Sequence, residues 1–113
     1  MESNLKAEIT QLHAQVCSGL SDPTRILILY KIADAPINVS DLAVALDIPQ
    51  PTVSRHLKVL RERHMVISQR DGKSVFYSLS DKRIIDALDL LRAVLASSLE
   101  DQVALARSAS DRI

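Results

Sequence analysis

Prolines at positions 49 and 51 bracket Gln50, and a helix carries two such prolines only in its first turn, where amide protons lack intrahelical partners. The helix that they open therefore starts at about Gln50, and its pattern carries it to Arg63. Just ahead, Val39-Ser40-Asp41-Leu42-Ala43-Val44-Ala45-Leu46 reads as another short helix, separated from it only by Asp47-Ile48-Pro49. Two short helices joined by so brief a turn make a helix-turn-helix over residues 39–63.

The flanking segments complete a mainly α chain. Leu5, Ile9, Leu12 and Val16 form one apolar stripe at helical period, predicting a first helix over about residues 3–20. Ser21-Asp22-Pro23 is a helix start, and the segment from Thr24 to Ile32 is apolar on nearly every side, as expected of a central core helix. It stops near Ala35-Pro36. Beyond the helix pair, Val66–Arg70 and Ser74–Leu79 are β-prone, with Asp71-Gly72 as the hairpin turn signal. Ser80 or Asp81 then caps a long helix over about residues 82–108, striped by Ile84, Leu88, Leu91, Leu95, Leu99 and Val103. The expectation is one domain spanning 1–113, with a hairpin at 66–79 behind the helix pair and apolar helices at 1–20 and 82–108.

Charge is distributed unevenly. The chain as a whole is neutral, but residues 50–75 carry six basic side chains (Arg55, Lys58, Arg61, Arg63, Arg70, Lys73) against Glu62 and Asp71. Such a segment holds a polyanion at one face while the rest of the molecule repels it. Val53, Leu57 and Leu60 must face inward, which leaves Gln50, Ser54, Arg55, Lys58, Arg61 and Glu62 outside. Short polar groups near a helix N-terminus reach base edges, and longer cations reach phosphates. Arg70 and Lys73 flank the hairpin turn, placed for a neighbouring phosphate or the minor groove. The plainer alternative is a solvated charged helix beside an incidental hairpin.

Other function classes find little support. With 47% hydrophobic residues but only 3% aromatic, the chain suits aliphatic helices packing on one another. No apolar run reaches the roughly 18 residues of a membrane helix, and the first residues do not read as a signal peptide. A lone cysteine, Cys17, fits a reducing, cytoplasmic setting. Neither a phosphate-binding glycine loop nor a nucleophile motif points to an enzyme.

Leu20-Ser21-Asp22-Pro23-Thr24-Arg25, Val39-Ser40-Asp41-Leu42-Ala43, Gln50-Pro51-Thr52-Val53-Ser54-Arg55-His56-Leu57-Lys58-Val59-Leu60 and Gly72-Lys73-Ser74-Val75-Phe76-Tyr77 together resemble the ArsR-type (ArsR/SmtB-like) winged-helix repressors. The resemblance covers about residues 18–80 and implies a winged helix-turn-helix that binds double-stranded DNA. It also implies an inducible repressor that binds an inverted-repeat operator as a homodimer. The DNA-contacting set expected on this basis is Gln50, Thr52, Ser54, Arg55, Lys58, Arg61, Arg70 and Lys73. The expected dimer seam is Leu5, Ile9, Leu12 and Val16 with Leu88, Leu91, Leu95 and Leu99. His56, next to inward Leu57, is expected to pack or anchor rather than read bases, and His64 stands where such repressors often carry glycine.

The sensing sites of the family are missing by residue type. The segment Ile37–Leu42 holds no thiolate, and Asp81 meets Arg83, Val94 and Ser97 where ligand partners would stand. No cofactor is expected, and no tight transition-metal site. His13 and Cys17, four apart on the first helix, could complete a tetrahedral site only by pairing with their symmetry mates. The plainer view takes Cys17 as a small buried hydrophobe and His13 as a surface residue. Redox control through Cys17, or an unidentified small effector between the terminal helices, are the remaining switches, beside constitutive binding tuned by protein level. The rival function is a dimeric adaptor that reuses the fold without operator binding, for which the cations at 55, 58 and 61 have no purpose.

Overall fold

A computed structural model describes residues 2–111, in two compact units divided at the Lys82–Arg83 boundary. The first unit opens with α1 (Glu2–Leu12), which runs on into a π-helical turn at His13–Cys17. The sequence pattern alone suggests uninterrupted α-helix here. Within the turn, the Ala14 carbonyl accepts both Ser18 Oγ (2.5 Å) and a guanidinium N–H of Arg63. Donors that enter the carbonyl ladder are compatible with a widened turn.

Helix α2 (Pro23–Asp34) begins where Asp22 Oδ1 accepts the Thr24 amide at 2.8 Å, with Pro23 preset in the first turn. It ends at Ala35, extended as a residue before proline must be. Ile28, Leu29 and Ile32 are buried, whereas Leu27 is 54% exposed, so α2 keeps one outward face. The bond from Thr24 holds the Asp22 carboxyl below its ordinary pKa, with the Arg25 cation adding to the effect. A depressed folded-state pKa gives stability that is present above the unfolded value and lost as pH falls through the folded one. Asp22→Asn is therefore expected to flatten the acid limb of a melting-temperature profile in the carboxylate range. An unchanged acid limb would remove Asp22 from that transition.

A two-residue strand, β1 (Ile37–Asn38), precedes α3 (Val39–Leu46). Asn38 caps α3 through Oδ1, which accepts the Asp41 amide at 2.8 Å. Helix α4 (Gln50–Glu62) follows. Both helices end alike, each with a left-handed residue closing a paired set of reverse hydrogen bonds. In α3 this is Asp47 (φ 53°), with Ile48 N donating to Ala43 O at 3.0 Å. In α4 it is His64 (φ 58°), with Met65 N donating to Leu60 O at 3.0 Å. Positive φ at His64 is what the family pattern of glycine there leads one to expect, and costs a non-glycine residue about 1 kcal/mol.

Strands β2 (Val66–Asp71) and β3 (Ser74–Leu79) pair antiparallel from Val66↔Leu79 to Asp71↔Ser74. The turn therefore centres on Gly72-Lys73 rather than Asp71-Gly72, and only Gly72 takes positive φ (64°). That is the requirement of a type II′ turn, with glycine first. β1 adds to the far edge of β3 (Ile37↔Tyr77, Asn38↔Phe76), giving a three-stranded sheet in the order β1-β3-β2 where a hairpin alone was expected. The core gathers Ile28, Leu29 and Ile32 of α2, Leu42 of α3, Val53, Leu57 and Leu60 of α4, and Met65 and Val66. The second unit is one helix, α5 (Arg83–Asp111).

Candidate nucleic-acid interface

Three buried residues at spacings of four and three, Val53, Leu57 and Leu60, hold α4 against α2, α3 and β2. Their burial turns the opposite face of α4 outward. Gln50, Ser54, Arg55, Lys58, Arg61 and Glu62 are all exposed, and Thr52 is half-buried. Arg70 and Lys73 are exposed beside the hairpin turn. Among the described residues, the side chains of Arg55, Lys58, Arg61, Arg70 and Lys73 have no hydrogen-bond or ion-pair partner. Five unneutralised cations on one helix face and one hairpin make an open anionic-ligand surface.

The tip of α4 is bare in a specific way. Pro49 and Pro51 carry no N–H, and the amides of Thr52 and Val53 both bond the Pro49 carbonyl, at 3.0 and 3.1 Å. The amide left at the tip is Gln50's. Its side-chain Nε2 donates to Ser40 Oγ of α3 at 3.3 Å, which leaves the amide oxygen and one N–H free to face outward. Ser40 carries no sequence signal for this role. Its position ten residues before Gln50 has no periodic meaning, and only the folded turn brings the two together.

His56 is half-buried, and its Nδ1 lies 3.3 Å from Arg25 Nη1, a position that suits the anchoring role read from sequence rather than base readout. Arg25 itself is only part of a motif in the sequence.

The apolar stripes lie uncovered within the single chain. On α1, Leu5, Ile9 and Leu12 are each about half exposed, and Val16 is half-buried. On α5, Leu91, Leu95 and Leu99 are 61%, 59% and 50% exposed, whereas Leu88 is buried at 6%. His13 and Cys17 stand at the two ends of the π-helical turn, both exposed. Cys17 is thus not the buried hydrophobe of the plainer sequence view. Among the described residues there is no cluster of three or more His, Cys, Asp or Glu side chains able to hold a metal ion, and no helix long and apolar enough to cross a membrane.

Residues 22–68 match the model of the bacterial regulatory protein arsR family. The chain is 40% identical over 83 residues to the HTH-type transcriptional regulator NmtR of Mycobacterium tuberculosis, a match covering 71% of this chain and 69% of that one. It is 33% identical over 82 residues to the biofilm growth-associated repressor of Agrobacterium fabrum, covering 73% and 70% of the two chains. Among solved structures it is similar to the homodimeric winged helix-turn-helix DNA-binding domain of a possible ArsR-family regulator from Mycobacterium bovis. The TM-score there is 0.74 at 25% identity, over 85% of this chain and 89% of that one.

Proposed function

This chain belongs to the arsR family of bacterial regulatory proteins, and we propose that it acts as a homodimeric transcriptional repressor on an inverted-repeat operator. The observation that carries the reading is the pairing on α4 of a fully buried inner face with an outer face of unneutralised cations and short polar groups. In this reading Gln50, Ser54 and Arg55, with Thr52 beside them, approach base edges in the major groove. Lys58 and Arg61 hold phosphates, and Arg70 and Lys73 of the hairpin hold the flanking backbone. The similar domain from M. bovis is homodimeric, and the exposed stripes of α1 and α5 are the surfaces that suit pairing here. Of the two relatives named above, one is a transcriptional regulator and the other a repressor.

Two residue classes should separate on the operator selected by the wild-type chain. Gln50→Ala or Ser54→Ala is expected to cost about 1–3 kcal/mol on that operator and to relax preference at one base position. Lys58→Ala, Arg70→Ala or Lys73→Ala is expected to weaken all duplexes alike and to lower the salt slope by about one for each phosphate no longer neutralised. Fluorescence anisotropy across a salt series reads both effects. Wing substitutions that changed base preference, with helix substitutions that did not, would reverse the assignment. Salt-independent binding, or none, would favour the adaptor reading.

A further inference from the structure

We propose that Arg25 and Arg63 are positioning residues that clamp the recognition helix α4 to residues 14–19, the π-helical turn and the residues after it that continue α1, so that pairing of the first helices sets the separation and rotation of two recognition helices. This rests on the homodimer reading above and goes beyond it by assigning half-site spacing to two arginines that touch no DNA.

Independent observations within the first unit converge on this clamp. Arg25 donates from Nε to Gly19 O (2.8 Å) and from Nη2 to Ser18 O (3.2 Å), both just past the π-helical turn. The same guanidinium donates from Nη1 to His56 Nδ1 of α4 at 3.3 Å. Arg63, the residue that ends α4, donates to the Ala14 carbonyl inside the π-helical turn. The backbone supports both contacts. Gly19 is buried, and a Cβ there would lie 2.8 Å from Met65 Sδ and 3.7 Å from Arg63 Cγ, so the chain just past the π-helical turn seats against the α4–β2 junction at a distance that glycine alone permits without displacement.

The chemistry explains why arginine is needed. The last carbonyls of a helix lack intrahelical donors and carry partial negative charge, which favours a cation there. A planar fork of five N–H groups satisfies carbonyls on one helix and an imidazole on another at once, whereas lysine offers a single point of attachment. These two cations are engaged inside the protein, unlike Arg55, Lys58, Arg61, Arg70 and Lys73. A guanidinium can only donate, so His56 accepts at Nδ1 and carries its proton on Nε2.

Arg25→Lys, Arg63→Lys and the double variant, in the full chain, test the clamp while keeping every charge. Sedimentation should show them dimeric like the wild type. The probes are the duplex selected by the wild-type chain from a random library, the same duplex with one or two base pairs inserted between its half-sites, and a single half-site. The double variant is expected to bind the selected duplex about tenfold more weakly, a loss on the scale of one mismatched base pair. It should bind the single half-site like the wild type, and its penalty for altered spacing should shrink towards none. In nitrogen-15 spectra the Nε2–H tautomer of His56 should give way to a mixture in Arg25→Lys. A double variant that keeps the wild-type spacing penalty overturns the clamp and leaves the homodimer standing. Equal losses on the half-site and the full duplex, or an unchanged His56 tautomer, overturn it as well. A wild-type chain that selects no paired half-sites overturns the homodimer reading, and the proposal with it.

Discussion

A Leu95→Glu chain is expected to sediment as a monomer at micromolar concentration and to lose about a hundredfold or more in operator affinity. Leu95 lies between Leu91 and Leu99 on α5, and the three are 50–61% exposed, with Val103 continuing the stripe at 51%. A fully covered leucine contributes about 1.5–3 kcal/mol, and two-fold symmetry counts each one twice. The substitution removes that contribution and places two carboxylates in one apolar seam, where burying an uncompensated charge costs several kcal/mol. The weaker DNA binding follows from mass action. Two linked half-site contacts gain an effective concentration that a monomer forfeits, although its own recognition helix is intact. Single half-site binding by Leu95→Glu should therefore match the wild type. A Leu95→Glu chain that remained dimeric would take α5 out of the interface.

Leu57→Ala is expected to destabilise the first unit by about 2–5 kcal/mol, from a total near 5–15 kcal/mol. Leu57 is 1% exposed, with Val53 and Leu60 on the same face of α4 at 0%, and the helix packs on α2, α3 and β2. A cavity there has walls of three elements, and none can collapse into it without moving the others. Urea unfolding should show a lower midpoint with little change in slope. Operator binding should weaken in parallel, because the buried face is what turns Ser54, Arg55 and Lys58 outward. A shift below about 1 kcal/mol would mean that α4 is less firmly seated than its burial indicates.

Much of this architecture is readable in the chain because each signal is local. Pro49 and Pro51 leave one place for α4 to begin, and the periodicity of Val53, Leu57 and Leu60 names its inner face before any neighbour is known. Strand limits at 66–71 and 74–79 follow nearly as directly from β-branched and aromatic runs around one glycine. Where sequence and structure differ, a pairing partner or packing neighbour decided the outcome. The hairpin turn moves by one residue because the Asp71↔Ser74 pair closes the ladder, leaving Gly72-Lys73 at the centre. β1 is invisible in the sequence because Ile37-Asn38 is too short to show alternation and exists only by pairing with Phe76 and Tyr77. Leu27 points outward on a helix whose sequence is apolar nearly all round, since one element can bury only the faces its neighbours cover.

The surface proposed to face DNA divides along the same line. Residue type and helical period determined which side chains leave the core on α4, and uneven charge marked the cations that accompany them. Tertiary structure decided which arginines remain free. Arg25 and Arg63 are as basic as Arg55 and Arg61 in the sequence, yet the fold brings the carbonyls of Ala14, Ser18 and Gly19 within their reach. The reason is physical: composition and period are properties of a segment by itself. A hydrogen bond between residues 49 positions apart, such as Arg63 to Ala14, depends on the path of everything between them.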